Sequence, residues 1–197
     1  MSAHNDYIRL PAIGDRSETT SRARLIWMVI LTIAAISASL ALSCVTPFAA
    51  LAVALGGTVG LRASLRVITI VWLANQFVGF VFFHFPVAAN TFLWGFAIGI
   101  AALLTTIVAA IMIKYFSSST AAVRLGVALP ASFAVYELGL LVAAVFLGSL
   151  ETFRPSVVLQ LAWVNAVSLL GMIILNELAA AIGERWVGKM PRIARSY

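Results

Sequence analysis

Charge is what this sequence has least of. Asp, Glu, Lys and Arg make up 10% of its 197 residues, against about a quarter in a soluble domain. There is one cysteine, Cys44, so an intrachain disulfide is excluded. Histidine occurs only at positions 4 and 84. One Cys and one nearby His are too few for a structural zinc site, which takes four ligands. The sequence holds no phosphate-cradling glycine loop, no HExxH pair, no Ser-His-Asp set and no paired intramembrane aspartates, so no enzyme class is indicated by motif. It also has no polar segment long enough to fold separately.

What remains is apolar. The chain is 62% hydrophobic with a mean hydropathy of +1.05. Such a chain cannot cover itself with polar surface in water, so a bilayer must be its solvent. The net charge is +6 and the pI about 10.3. The positive residues flank apolar stretches, which suits membrane topology and anionic headgroups; no nucleic-acid partner is expected.

The expected fold is an all-α integral membrane protein with six transmembrane helices. Residues 1–24 read as a polar cytoplasmic tail, disordered or lying on the membrane surface. Residues 25–184 form the membrane domain and 185–197 a basic cytoplasmic tail. No charge occurs from Leu25 to Leu61. A single helix over that stretch would be ~55 Å long against a hydrocarbon core of ~30 Å. Two helices reversing at Ser43-Cys44-Val45-Thr46-Pro47 fit instead, with Pro47 in the first turn of the second. That second helix is short, so Arg62 is expected to snorkel. The third span runs from about Leu65 to Phe83 and the fourth from about Thr91 to Ile113. The fifth runs from about Leu125 to Leu150, with Pro130 as a kink. The sixth runs from about Val157 to Ile182.

Counting Lys and Arg on alternate sides gives twelve against one, the lone exception being Arg154. By the positive-inside rule both termini are cytoplasmic. Leu40 to Cys44 faintly resembles a lipoprotein processing site, but its small residues are out of order and the apolar sequence resumes at once.

This orientation puts Cys44, His84 and the turn Glu151–Pro155 on the outer face. Thiolate and imidazole both bind transition metals, or a metal held in a macrocycle. Cys44 is equally readable as a small apolar filler, and His84 as an interfacial amphipath. Within the spans, Asn75, Gln76 and Glu137 are polar. An intramembrane charge costs ~3 kcal/mol, so Glu137 is neutral or paired, in a structural hydrogen bond or on a proton or cation path. Gln160 and Asn165 could line a cavity, and Glu177 lies toward the cytoplasmic end. Small residues four apart (Ala34 and Ala38, Ala50 and Ala54, Gly56 and Gly60, Gly95 and Gly99) permit close helix contact within the bundle or against a partner.

Two segments carry a resemblance. Cys44-Val45-Thr46-Pro47-Phe48-Ala49-Ala50-Leu51-Ala52, followed by Trp72-Leu73-Ala74-Asn75-Gln76-Phe77-Val78-Gly79-Phe80, resembles the BtuM-type cobalamin transporters of bacteria, relatives of ECF-transporter S-components. The resemblance implies an S-component-like bundle in the bacterial inner membrane, with a corrinoid bound near the periplasmic face. It implies cobalt ligation by Cys44, the only residue able to fill that role, and loss of cyanide from cyanocobalamin promoted there. The corrin would supply the remaining ligands, so a site with few protein ligands suffices. Phe48, Trp72, Asn75 and Gln76 lie in the resembling segments and are candidate substrate contacts. His84 is a further candidate on its position alone. An ECF-type transmembrane or ATPase partner would meet Ala34 and Ala38, although BtuM-type proteins are thought to work without a dedicated module. The competing readings are a structural or assembly subunit of a membrane complex and an S-component for another vitamin.

Overall fold

A computed structural model describes residues 13–41, 46–183 and 193. Its described residues form six α-helices and one 3-10 turn, with no strand among them. The helices are α1 (Ile13–Ala41), α2 (Phe48–Gly56), α3 (Leu61–Val81), α4 (Ala89–Tyr115), α5 (Ala121–Leu147) and α6 (Pro155–Gly183), with the 3-10 turn Leu150–Phe153 between the last two.

Five helices, α1 and α3 to α6, are long and apolar enough to cross a membrane. Their outward faces carry large apolar side chains such as Ile33, Phe77, Ile100, Val142, Leu159 and Leu170, all exposed. Water would not tolerate a surface of this kind, and lipid does. The chain is thus a multi-pass, all-α membrane protein.

The expected second span takes a different form. At 9 residues, α2 is ~13 Å long, less than half the depth of the hydrocarbon core. It lies in the middle of the bundle, packed by α3, α4, α5 and α6 and touched by α1. Every residue from Phe48 to Leu55 is at most 2% exposed. A helix buried on all sides must be apolar on all sides, and FAALAVALG is. Its alanines let the surrounding backbones approach closely.

Two hydrogen bonds fix its direction. Before its first turn, the Thr46 hydroxyl donates to Asn75 Oδ1 (2.9 Å), six residues before the end of α3. After its last turn, Trp27 Nε1 donates to Thr58 Oγ1 (3.1 Å). Trp27 lies mid-way along α1, and Thr58 lies three residues before α3 begins. Accordingly α1 and α3 run in the same sense and α2 runs opposite to both.

Some residues of both expected tails are described, and Ala23 and Ile193 among them are buried. Helix α1 begins at Ile13, so residues 13–24 are helical and Ala23 is fully buried beside Ala180. Extending a helix that is already nucleated needs no new nucleus, so even a polar segment follows it. Near the other end Ile193 is buried in the core, its backbone N–H donating to Asn176 Oδ1 (2.8 Å). Elsewhere, Arg22, Arg24, Arg62 and Arg66 are exposed, as anchoring residues should be, whereas Arg124 is buried at the start of α5. Helix α5 continues through Pro130.

Candidate functional site

Thr46, Asn75, Glu137 and Asn165, four polar residues of the bundle, converge at the N-terminal end of α2. Four backbone N–H groups at the start of any helix lack an intrahelical acceptor. In α2 the residue before the first turn is Pro47, which offers no side-chain cap. Asn165, on α6, supplies the missing acceptor. Its Oδ1 takes the N–H of Ala50 at 3.1 Å. Its own amide donates to the Leu161 carbonyl (3.0 Å), which fixes the orientation of the group. Asn165 therefore caps α2 from another helix.

Next to this cap lies a cavity of about 170 Å³, lined by Thr46, Phe48, Asn75, Ile98, Tyr136, Glu137, Leu140, Leu161 and Asn165. Phe48 meets Tyr136 with ring centroids 5.9 Å apart. Glu137 projects from α5 one residue beyond Tyr136, and its Oε1 is buried with no hydrogen-bond partner among the described residues. No Lys, Arg, His or Cys side chain lines the cavity among those residues. The depths agree: Asn75 is six residues from the end of α3, Glu137 ten from the end of α5 and Asn165 ten from the start of α6. At ~1.5 Å per residue these place the cavity ~9–15 Å inside the ends of those helices.

The sequence-derived candidates fall into four groups. Phe48 and Asn75 line the cavity, with Asn165 and Glu137. Trp72 and Gln76 do not; they key α3 onto α4. Trp72 Nε1 donates to the Gly95 carbonyl (2.9 Å). A Cβ at Gly99 would lie 2.6 Å from the Trp72 ring, and one at Gly95 would lie 2.5 Å from Gln76 Oε1. This glycine pair thus serves close packing inside the bundle. Trp72 also borders a shallow apolar groove between α3 and α4. His84 is exposed in the turn after α3, with a left-handed backbone (φ 52°). Cys44 lies outside the described residues.

Of Gln160 and Asn165, the two α6 amides singled out by sequence, Asn165 points inward. Gln160 is exposed, in a depression on the outer side of α6 with Leu159 and Trp163. Thr46 was not singled out by sequence, although it lies within the resembling segment. Its signal is position: a hydroxyl residue just ahead of the proline that opens an apolar helix.

Comparison with protein-family models, curated proteins and solved structures finds no match. What the site does must therefore be argued from its residues. Among the described residues, no group of three or more His, Cys, Asp or Glu could hold a metal ion. The cavity offers oxygen donors and one carboxyl group, under an aromatic pair. Such a set can bind and orient a small polar or cationic species.

Proposed function

We propose that the chain is an uptake protein of the bacterial inner membrane whose cargo is cobalamin. One observation supports this most directly. The two segments that resemble the BtuM-type transporters are far apart in sequence yet meet in space, through the hydrogen bond from Thr46 to Asn75. Phe48 and Asn75 then line one cavity. Cys44 stands two residues before Thr46 in the chain.

In this reading the chain crosses six times with both termini in the cytoplasm. The reversal of direction by α2 keeps the alternation that the Lys and Arg count requires. The corrin does not enter the described cavity, whose 170 Å³ is below the ~300–1,000 Å³ of pockets for drug-sized ligands. It lies outside it, on the periplasmic side, with cobalt on the Cys44 thiolate. A thiolate is a soft, strong ligand, and the macrocycle supplies the four equatorial nitrogens. Displacement of the lower base by sulfur would favour loss of cyanide from cyanocobalamin. His84, exposed in the turn after α3, would lie on the same side in this topology and touch the cargo. An ECF-type partner would dock at Ala34 and Ala38, both half-buried on α1.

A structural or assembly subunit is the competing reading. Its main sequence support was the set of small-residue faces. Ala50 and Ala54 are fully buried within the chain, and Gly95 and Gly99 are covered by Gln76 and Trp72. That weakens it.

The test is a visible spectrum. Protein purified from cells supplied with cobalamin should carry a corrin spectrum, and Cys44→Ala should shift or abolish it. A colourless wild type that stays unchanged on adding cobalamin rejects the cargo, leaving another vitamin or a structural role. A corrin spectrum identical in Cys44→Ala rejects the cobalt ligand alone.

A further inference from the structure

Three buried side-chain oxygens have no hydrogen-bond partner among the described residues: Thr105 Oγ1, Ser132 Oγ and Glu137 Oε1. Only the last borders the polar cavity at the head of α2. A buried acceptor without a partner is destabilising, the more so when charged, so an occupant that satisfies it is favoured. We propose that this cavity binds one sodium ion, with the Glu137 carboxylate as counter-charge and the Thr46, Asn75 and Asn165 side-chain oxygens as the neighbouring polar groups.

Charge, donor type and volume each narrow the occupant. The cavity has one acidic group and no basic one among the described residues. One monovalent cation neutralises it; a divalent ion would leave a net positive charge in a low-dielectric interior. Among the described residues the polar side chains are hydroxyls, amides and a carboxyl group, with no sulfur or imidazole. Hard cations prefer such oxygens, while transition metals prefer nitrogen and sulfur. Protonation of Glu137 would remove the charge but leave Oε1 without a partner. The volume of about 170 Å³ admits a cation and several waters, each taking ~30 Å³.

The ion would also act on the fold. Thr46 leads directly into α2, and Asn165 caps it. An ion on these groups would tie α3, α5 and α6 to the head of the central helix. The inference holds whatever the cargo is, because it rests on the cavity alone.

The full-length chain in detergent is unfolded by heat in NaCl and in N-methyl-D-glucamine chloride at equal ionic strength. Sodium should raise Tm in a saturable way, and ²²Na⁺ should bind at close to one ion per chain with no cobalamin present. Glu137→Gln should weaken sodium binding by about 10- to 100-fold, the loss of one charge-assisted contact. Thr46→Val should weaken it less and serves as the second variant should Glu137→Gln not fold. Equal Tm of the wild type in both salts, or no retained ²²Na⁺, overturns the proposal. So does a folded Glu137→Gln that responds to sodium as the wild type does.

Discussion

Replacing Asn165 by leucine tests whether a side chain on α6 holds the central helix in place. The two side chains are of similar size, so the change leaves little void and removes mainly the acceptor. The Ala50 N–H, now 3.1 Å from Asn165 Oδ1, would be left without one. Hydrogen bonds between membrane helices average only ~0.6 kcal/mol, because separated helices find substitute partners. Ala50 has no substitute in the folded state: it is fully buried, and Pro47 provides no cap. The expected cost is therefore nearer that of a buried orphan donor, ~1–3 kcal/mol. For a chain of this length that corresponds to a fall in Tm of roughly 2–12 °C. Circular dichroism during thermal unfolding, or titration with SDS in mixed micelles, reads the change. Gln160→Leu is the control, five residues earlier on the same helix but exposed, with an expected effect within ~0.5 kcal/mol. If Asn165→Leu costs no more than Gln160→Leu, the cap does not hold α2 and the account of the bundle's centre fails.

Gly99→Ala should destabilise by ~1–3 kcal/mol through overpacking, since the new methyl would lie 2.6 Å from the Trp72 ring. Gly126→Ala, with nothing within 4 Å, should be neutral or stabilising by up to ~1 kcal/mol; equal effects at the two sites in the same melt would reject the α3–α4 contact. Ile193→Ala should cost ~2–5 kcal/mol as a core truncation, because the side chain is 1% exposed. A melt indistinguishable from wild type would show that Ile193 does not pack in the core.

Four helices were readable nearly to their ends. The third to sixth spans expected from hydropathy fall within a few residues of α3, α4, α5 and α6, because each is a long apolar run closed by a charge, a serine cluster or a proline. Helix α2 was harder. Hydropathy cannot separate a helix bathed in lipid from one enclosed by protein, and the hint lay in its short length and many alanines. The extension of α1 into residues 13–24 follows from helix propagation, which leaves no apolar pattern to detect.

The site was half legible for a geometric reason. Asn75 and Gln76 were paired by sequence, yet successive residues on a helix point about 100° apart. Only Asn75 can face the cavity, and Gln76 turns to Gly95. Gln160 and Asn165, five apart, point about 140° from each other, so one is exposed and the other caps α2. Residue type identified the polar groups inside the spans, and helical phase decided which of them meet.

The cap on α2 also has a bearing on synthesis. Ala50 and Asn165 are 115 positions apart. A ribosome adding about 5–20 residues per second would make the second of them roughly 6–23 seconds after the first. During that interval α2, too short to cross the bilayer alone, would have to wait beside α1 and α3 with its first turn uncapped. The final seating of the central helix would then be a late event, triggered from the far end of the chain. A ribosome stalled before α6 should hold a nascent chain in which residues 46–55, buried in the finished protein, react with water-soluble labels.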